Sequence, residues 1–377
     1  MLSPMRLEEV LQAIRPLAPE HLAESWDKVG LQLGHGDWPV RRALLCIDLT
    51  EAVLAEAIET EAQLIVAYHP PIFSPLVRLT GDDWKGRIVL ACAKREIAIY
   101  SPHTALDAAE DGLNDWLARG LGAGQVSPIA ATAATAGPEQ VKFVTFVPPE
   151  HADRIRHALA AAGAGWIGNY SHCTFNIPGT GTFRGEEGAN PTVGEAGRLE
   201  TVQEIRIETI CPVEQVERVV AALREAHPYE EPAFDIYRLL ATPAATPART
   251  GQGRRIVLDE PVDLDTLIAR VKRLLGVTAL AVGRPAKPRP IRTVAVCAGA
   301  GGSVLAQATD ADAWFTGEMR HHDVLAAVQD GRAVLLPGHT QTERPYLPTY
   351  RDRLARATGG EVEWRVSEAD RAAAAVE

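Results

Sequence analysis

The chain has 377 residues, and its 38 Lys and Arg against 49 Asp and Glu give a formal net charge of −11. This acidic balance argues against a general binder of nucleic acids or anionic membranes. No run of about 18 apolar residues occurs, so we expect no transmembrane helix and no membrane partner. The length suggests two or three domains, and a hydrophobic fraction of 46% is that of a globular protein.

The cysteines argue against a disulfide-bonded or thiolate-zinc protein. They are odd in number, scattered, and never spaced as C-x-x-C. They are Cys46, Cys92, Cys173, Cys211 and Cys297. The first ten residues lack the basic and apolar regions of a signal peptide. We therefore expect a cytoplasmic protein whose cysteines are small buried hydrophobic residues.

The first third of the chain alternates apolar strands with amphipathic helices. The strands are predicted at 43–49, 64–69 and 97–101, and the helices at 51–61, 84–95 and near 112–119. Apolar strands that alternate with helices predict a largely parallel sheet covered on both faces.

Two Ala/Thr/Pro/Gly-rich stretches, 129–139 and 241–253, have no apolar period and are predicted to be linkers. We therefore expect an outer metal-binding domain split into residues 1–128 and 254–377, with an inserted domain at 140–240. Three domains in a row are the alternative.

The inserted segment contains an internal repeat. Residues 141–163 and 205–226 each contain an alternating strand, a Pro-x-Glu helix start and an amphipathic helix. The paired positions include Pro148 with Pro212, Glu150 with Glu214, Ile155 with Val219, and Leu159 with Leu223. Two strand–helix copies with further strands predict a ferredoxin-like α+β domain.

The last third returns to the strand–helix alternation. Strands are predicted at 292–298, 313–316 and 333–337, helices near 303–309, 322–329 and 344–357, and an edge strand at 361–366. The predicted fold class is a split outer α/β domain with a largely parallel sheet, plus the inserted ferredoxin-like domain.

Histidines and carboxylates follow three of the predicted strands. His69 lies at the end of the strand predicted at 64–69, and His103 follows the strand at 97–101, with Asp107 four residues beyond it. His339 follows the strand at 333–337 and precedes Glu343 by four residues, the spacing of one helical turn. Strand ends of a parallel sheet form a crevice, and these side chains suit Zn, Mn, Fe, Co or Ni without distinguishing them. The pattern leaves open a metal site and incidental loop histidines.

Four ordered motifs resemble a known family of dinuclear-metal proteins, the GTP cyclohydrolase I type 2 homologues. The motifs are E-S-W-D-K-V-G-L-Q-L-G at 24–34, Y-H-P-P-I-F at 68–73, H-T-A-L-D at 103–107, and G-H-T-Q-T-E at 338–343. A fifth segment, H-P-Y-E-E-P at 227–232, resembles the inserted domain of the longer members. The resemblance runs from near residue 7 to near residue 354.

The resemblance implies an α/β fold with two metals between its halves and a homohexameric ring. It also implies metal ligands at His69, Asp107, His339 and Glu343, with Glu343 as the bridging carboxylate. This chain has Tyr68 where the family has the first His of H-H-P. A phenol with a pKa near 10 is a weaker ligand than imidazole. We therefore expect one or two divalent metal ions.

Further residues are candidates for a functional role, and each also has a structural interpretation. His103 and His322 are candidate catalytic proton carriers, although His103 could instead support the ligands and His322 could be a solvent-exposed helix-start residue. The G-A-G-G-S segment at 299–303 could cradle a phosphate or form a tight turn. Ser25, Trp26 and Asp27 could contact a substrate, although Trp26 could instead be a packed anchor.

The leading hypothesis is a metal-dependent hydrolase of a small substrate. The family name implies a nucleotide, GTP, as the substrate class, but nothing in the sequence shows guanine recognition. The alternative is a non-enzymatic metal-binding or regulatory protein that forms a ring with copies of itself. The replacement of a ligand by Tyr68 favours this alternative.

Overall fold

The computed structural model describes residues 4–132, 139–240 and 249–373. The chain forms two compact units, whose described residues are 4–132 with 249–373, here called the outer unit, and 139–240, here called the insert. Within these ranges, no helix is both long and apolar enough to cross a membrane.

The first half of the outer unit contains short strands and helices in alternation. Its strands are β1 (Met5–Arg6), β2 (Gly30–Leu33), β3 (Pro39–Val40), β4 (Arg42–Cys46), β5 (Leu64–Ala67), β6 (Ala98–Ser101) and β7 (Gly124–Ala131). Its helices are α1 (Leu7–Ile14), α2 (Glu51–Glu59), α3 (Trp84–Lys94), α4 (His103–Ala108) and α5 (Leu113–Gly120). β4, β5 and β6 are short and almost wholly buried, as parallel strands covered on both faces are.

The insert is an antiparallel sheet with two helices. Its elements in chain order are β8 (Gln140–Val147), α6 (Ala152–Ala161), β9 (Thr174–Arg184), β10 (Leu199–Pro212), α7 (Val216–Ala226) and β11 (Phe234–Arg238). The sheet order is β11-β8-β10-β9, and all three pairings are antiparallel. The apolar faces of α6 and α7 pack on the sheet around Phe143, Ile155 and Leu223.

The second half of the outer unit completes it. Its strands are β12 (Gly251–Val262), β13 (Ala281–Gly283), β14 (Ile291–Cys297), β15 (Ala313–Thr316), β16 (Ala333–Leu336) and β17 (Glu363–Val366). Its helices are α8 (Leu264–Leu275), α9 (Gly302–Leu305), α10 (His321–Gln329) and α11 (Leu347–Ala357). Short 3₁₀ turns lie at Arg15–Leu17, Glu20–Leu22, Pro149–His151, Val213–Gln215 and Arg344–Tyr346.

The outer unit has two large mixed sheets rather than one shared parallel sheet. The first sheet has the order β17-β4-β5-β6-β2, and its strands are parallel except β2. The second sheet has the order β13-β16-β15-β14-β12-β7, and in it β14, β15 and β16 are parallel. Each half of the chain supplies three consecutive parallel strands, which is enough to build a sheet of its own. The halves also exchange strands, since β17 joins the first sheet and β7 joins the second.

One apolar core contains residues from both sheets. It includes Leu45 and Val66 of the first sheet, Val294 and Phe315 of the second, and Leu117 of α5. The opposite face of the first sheet is covered by α2 and α3, and that of the second by α9 and α10. Helices therefore cover the faces that the shared core does not.

Several boundaries differ from the sequence prediction. The stretches predicted as linkers are partly strand, because β7 continues to Ala131 and β12 begins at Gly251, where the two residues pair. Residues 133–138 and 241–248 of these stretches lie outside the described residues. The helix predicted at 303–309 ends at Leu305, and the strand predicted at 43–49 ends at Cys46. The remaining residues of that strand form a loop that enters the candidate site.

A buried ion pair joins the two halves of the outer unit. Arg254 on β12 is only 1% exposed. Its guanidinium donates to both carboxylate oxygens of Asp115 on α5, Nε to Oδ1 at 2.8 Å and Nη2 to Oδ2 at 3.2 Å. It also donates to the carbonyl oxygens of Ala109, Gly251 and Gly253 at 2.8, 2.6 and 2.9 Å. The charge is therefore surrounded by acceptors from both halves.

Removing Arg254 should destabilise the outer unit strongly. Arg254→Met leaves the buried carboxylate of Asp115 without its cation, and we expect the free energy of unfolding to fall by about 3–5 kcal/mol. Arg255→Met is the matched control, because Arg255 pairs with Asp310 at the surface and such pairs contribute about 0–1 kcal/mol. Urea denaturation followed by circular dichroism measures both. Equal losses in the two variants would contradict the role given to Arg254.

The insert leaves and re-enters the outer unit at paired positions. Ala131 pairs with Gly251, and the amide of Thr132 donates to the carbonyl oxygen of Thr250 at 3.0 Å. Among the described residues, the insert has an apolar core cluster of its own. We propose that the insert is a separable domain.

Replacing residues 133–249 by Asn-Gly should therefore close a two-residue hairpin between Thr132 and Thr250. We expect a soluble outer unit with a cooperative thermal transition, measured by circular dichroism. A Val-Val link of the same length is the control and should melt at a lower temperature, since the favoured turn needs positive φ. An insoluble Asn-Gly variant, when the full-length protein is soluble, would contradict the proposal.

Candidate metal centre

Polar side chains follow the carboxyl ends of parallel strands in both sheets of the outer unit. In the first sheet, Asp48 follows β4, His69 follows β5 and His103 follows β6. In the second, Glu318 follows β15 and His339 follows β16, while Gly299, which has no side chain, follows β14. Parallel strands bring their carboxyl ends to one edge of a sheet, which is why residues distant in the chain meet here.

Two of these side chains, His69 and His339, form a cluster with Glu343 that could hold a metal ion. Donor atoms of His69, His339 and Glu343 all lie within 4.8 Å of one another. Nε2 of His339 is 3.2 Å from Oε1 of Glu343, and Nε2 of His69 is 3.5 Å from Oε2. Oε2 of Glu343 is buried and has no hydrogen-bond partner among the described residues. A buried carboxylate oxygen without a donor fits a cation, so this donor set suits a divalent metal.

Carboxylates fix both imidazoles of the cluster. Nδ1 of His69 is 2.9 Å from Oδ1 of Asp48, and Nδ1 of His339 is 3.0 Å from Oε1 of Glu318. A hydrogen bond at Nδ1 orients the ring and leaves Nε2 as the ligand atom, which is the usual arrangement of metal-binding histidines. Sequence reasoning missed Asp48 and Glu318. Their signal was position, because each lies two residues beyond a strand end.

The electrostatics show a site that holds protons when no metal is bound. Burial alone would lower the pKa of His69, but the carboxylates of Asp48 and Glu343 outweigh it and raise the pKa to about 10. Glu343 raises the pKa of His339 to about 9, with a smaller effect from Glu318. Burial would raise the pKa of Glu343, but the two histidines outweigh it and lower that pKa.

Gly299 provides the space for these donors. Its φ is +61°, and a Cβ added there would lie 2.9 Å from Oε1 of Glu343 and 3.0 Å from Nε2 of His339. Two amides of the G-A-G-G-S segment are already bonded within the chain. The amide of Gly299 donates to the Thr342 hydroxyl, and that of Gly301 to the Thr316 hydroxyl, each at 2.9 Å. A phosphate cradle and a tight turn both stay predictions for this segment.

Asp107 lies beside the cluster but is held by a different group. The Tyr68 hydroxyl donates to its Oδ1 at 2.6 Å, and both side chains are buried. Burial raises the pKa of Asp107 to about 6, although the hydrogen bond from Tyr68 opposes the shift. Burial also raises the pKa of Tyr68, which keeps the phenol protonated. The residue in the family's first His position therefore binds the carboxylate that the resemblance assigns to a metal.

His103 has a carboxylate partner of its own. Its Nδ1 is 2.8 Å from Oδ1 of Asp27, whose side chain is fully buried and whose Oδ2 accepts from the amide of Thr104 at 3.1 Å. Burial would raise the pKa of Asp27, but the bonds from His103 and Thr104 outweigh it and lower the pKa to about 2. His103 has a φ of +26°, a strained value for a non-glycine residue. Its ring centroid lies 5.3 Å from that of His69.

A cavity of about 300 Å³ opens beside these groups. Its walls include Trp26, Tyr68, His103, Asp107, His339 and Glu343. Trp26 is 53% exposed, which favours a contact surface over a packed anchor. His322 is elsewhere, on the exposed first turn of α10 and outside this cavity. The structure thus brings His69, His339, Glu343, Asp107 and His103 together but not His322.

Comparisons with known proteins identify the family. The Duf34/NIF3 (NGG1p interacting factor 3) family model matches residues 5–372. A protein of Halalkalibacterium halodurans called GTP cyclohydrolase 1 type 2 homolog is 42% identical over 336 residues, 88% of each chain. NIF3-like protein 1 of Homo sapiens is 36% identical over 97% of this chain and 91% of its own. The crystal structure of a Bacillus cereus protein related to NIF3 superposes with a TM-score of 0.67, at 38% identity over 96% of each chain. The family resemblance read from the motifs is confirmed.

Loss of one donor should abolish metal binding at this site. We expect His339→Ala and Glu343→Ala to reduce bound metal to background without changing the circular dichroism spectrum. Glu318→Gln should weaken binding by roughly 10–100-fold, because it only orients His339. His35→Ala is the control, since His35 is an exposed histidine outside the site.

Metal analysis after dialysis measures these variants. Unchanged metal content in both alanine variants would contradict the ligand assignment.

The pH dependence of metal affinity gives a second check. Both imidazoles have raised pKa values and hold protons at neutral pH, and a metal must displace those protons. The apparent affinity should therefore rise as the pH increases from about 6 to about 9.

Proposed function

We propose that this protein is a metal-dependent hydrolase of a small, nucleotide-like substrate. The proposal has two premises. The chain belongs to the Duf34/NIF3 family, and three side chains that could donate to a metal converge beside a cavity. The observation that carries the proposal is the unpartnered, buried Oε2 of Glu343 between two oriented imidazoles. The substrate class comes from the name printed for the relatives, GTP cyclohydrolase 1 type 2 homolog.

In this proposal His69, His339 and Glu343 hold a divalent ion, with Zn, Mn, Fe, Co and Ni as candidates. When bound, such a metal lowers the pKa of its water and polarises the bond to be cleaved. The chain's own contribution is orientation. Asp48 and Glu318 hold both imidazoles in one tautomer, and Gly299 leaves room for the donors.

His103 is the proposed proton carrier. Asp27 holds its Nδ1, so the ring is fixed in orientation and Nε2 can accept or release a proton at the cavity. No hydrogen bond to that Nε2 is found among the described residues. Asp27 acts through His103 and is therefore a positioning residue. His322 is not part of the proposed machinery because it is exposed and is not among the residues that line the cavity.

Asp107 is the proposed ligand of a second metal position, as the family resemblance implies. Its bond to Tyr68 occupies one carboxylate oxygen, which supports a weaker second position. The same observation favours the second candidate function, a non-enzymatic metal-binding or regulatory protein.

Assembly and location complete the proposal. The β-α-β-β-α-β order of the insert and its antiparallel sheet support the ferredoxin-like assignment. A cytoplasmic homohexameric ring, built from copies of this chain, rests on the family resemblance.

The test of the hydrolase is turnover by the metal-loaded protein. We expect one of the five candidate metals to support hydrolysis within a panel of GTP, other nucleotides and simple phosphate esters, followed by chromatography. His103→Gln should lower kcat by about 10²–10⁴-fold at unchanged metal content, and Asp27→Asn should lower it through loss of orientation. His322→Gln is the control and should retain full activity. No turnover with any metal would favour the non-enzymatic alternative.

Tyr68 decides the metal stoichiometry in this proposal. Tyr68→His removes the phenol that holds Asp107 and adds an imidazole, so bound metal should rise from about one toward two ions per chain. Tyr68→Phe is the matched control, because it frees Asp107 without adding a donor and should leave the count near one. Titration calorimetry with metal analysis measures both. Two equally tight sites in the unmodified protein would show that Tyr68 does not weaken the second position.

A further inference from the structure

The H-P-Y-E-E-P segment of the insert, residues 227–232, builds one wall of a second cavity. This cavity measures about 270 Å³ and lies wholly within the insert. Its lining includes the aromatic rings of Phe146, Phe183 and Tyr229 and the carboxylates of Glu204, Glu230 and Glu231. No Lys, Arg or His lines it among the described residues. Aromatic faces and carboxylates both attract cations.

His227 fixes two of the lining residues. The amide of Tyr229 donates to Nδ1 of His227 at 3.1 Å, so Nε2 carries the proton and donates to the carbonyl oxygen of Phe146 at 3.0 Å. The loop that contains Asn190 and Thr192 covers this wall of the cavity. The hydroxyl of Thr192 donates to the carbonyl oxygen of Pro228 at 2.8 Å, and the amide of Asn190 donates to the Glu230 carboxylate at 2.9 Å. The cavity is therefore held by specific bonds.

Two polar groups face each other in the cavity. The Tyr229 hydroxyl is buried and lies beside the half-buried carboxylate of Glu204. Burial and this carboxylate raise the pKa of Tyr229 to about 12. No Lys, Arg or His forms a salt bridge with Glu204 in the part of the chain that the structure describes. A half-buried carboxylate without a cation costs free energy that a cationic ligand would offset.

A glycine makes room for the Glu204 carboxylate. A Cβ at Gly181 would lie 2.2 Å from Oε2 of Glu204. Gly181 is in the middle of β9 and pairs with Val202. Glycine in a strand interior weakens the strand and marks a close approach by another group. Here the approaching group is the carboxylate that faces the cavity.

A metal ion is a poorer candidate for this cavity than an organic cation. Among the described residues, the three-donor group found is His69, His339 and Glu343, and the glutamates of the insert form none. One ring already binds a guanidinium, since Arg206, which is paired with Glu208, lies 5.6 Å from the ring centroid of Phe146. Apolar residues such as Val202 and Pro191 complete the lining.

We propose that the insert binds a small organic cation, an alkylammonium or alkylguanidinium, with its charge at Glu204 and Tyr229 and its apolar part against Phe146 and Phe183. This site is independent of the metal centre and of the proposed hydrolase activity. It gives the insert a ligand-binding role of its own.

Titration calorimetry on the full-length protein tests the proposal. The probes are isopentylamine, which is protonated at pH 7, butylguanidine, and the neutral isostere isopentanol. We expect either cation to bind at least tenfold more tightly than isopentanol. Glu204→Gln should raise the Kd of the cation at least tenfold, and Glu214→Gln, an exposed glutamate outside the cavity, should leave it unchanged. Tyr229→Phe should also raise the Kd, without lowering the melting temperature of the free protein.

Glu343→Gln separates this site from the metal centre. Unchanged affinity for the cation in that variant supports a site in the insert, and lost affinity would overturn it. The proposal also fails if neither cation binds at 20 mM, if isopentanol binds as tightly as the amine, or if Glu204→Gln leaves the Kd unchanged.

Discussion

The buried guanidinium of Arg254 is the constraint on which the outer unit depends. Removing a charge of this kind from water costs several kcal/mol unless it is paired and hydrogen-bonded. Here Asp115 pairs with it in bidentate geometry, and backbone carbonyls accept its remaining protons. The partners come from α4, α5 and β12, on both sides of the insert in sequence. The fold therefore requires the two halves to meet.

The same contacts place the catalytic candidates. Arg254 bonds the carbonyl oxygen of Ala109 at the end of α4, and Gln252 bonds that of Thr104 at its start, at 3.1 Å. The helix between them begins with His103 and contains Asp107. A buried ion pair thus positions the helix that lines the candidate metal site.

In the candidate metal centre, a proton and a metal ion would compete for the same atoms. Without a metal, the histidines keep raised pKa values because carboxylates lie on both of their nitrogens, and Glu343 keeps a lowered one. The protons on the imidazoles therefore balance the buried carboxylate until a metal replaces them. This explains how the fold can keep the carboxylate of Glu343 buried in the absence of a metal ion. It would also make the binding of a metal at these atoms dependent on pH.

The sequence by itself determined the family, the alternation of strands and helices, and four of the residues that meet at the site. His69, His103, His339 and Glu343 were found because functional side chains follow the ends of buried strands, and strand ends can be read from apolar runs. Asp107 was noted because it stands four residues beyond His103, and the H-T-A-L-D motif marked it as a metal ligand. Tertiary structure decided the rest. Asp48 and Glu318 are ordinary acidic residues in the sequence, and Asp27 lies in a motif that does not name its partner. Only folding brings each of the three to within hydrogen-bond distance of an imidazole. His322 looks like a functional histidine in sequence but is exposed, because the helix that it begins lies on the outer face of its sheet.

The division into two sheets could not be predicted either, since hydrogen bonds between strands far apart in the chain leave no local pattern in the sequence. Side-chain chemistry and local periodicity are properties of the chain, whereas distances between remote residues are set by how the packed core closes.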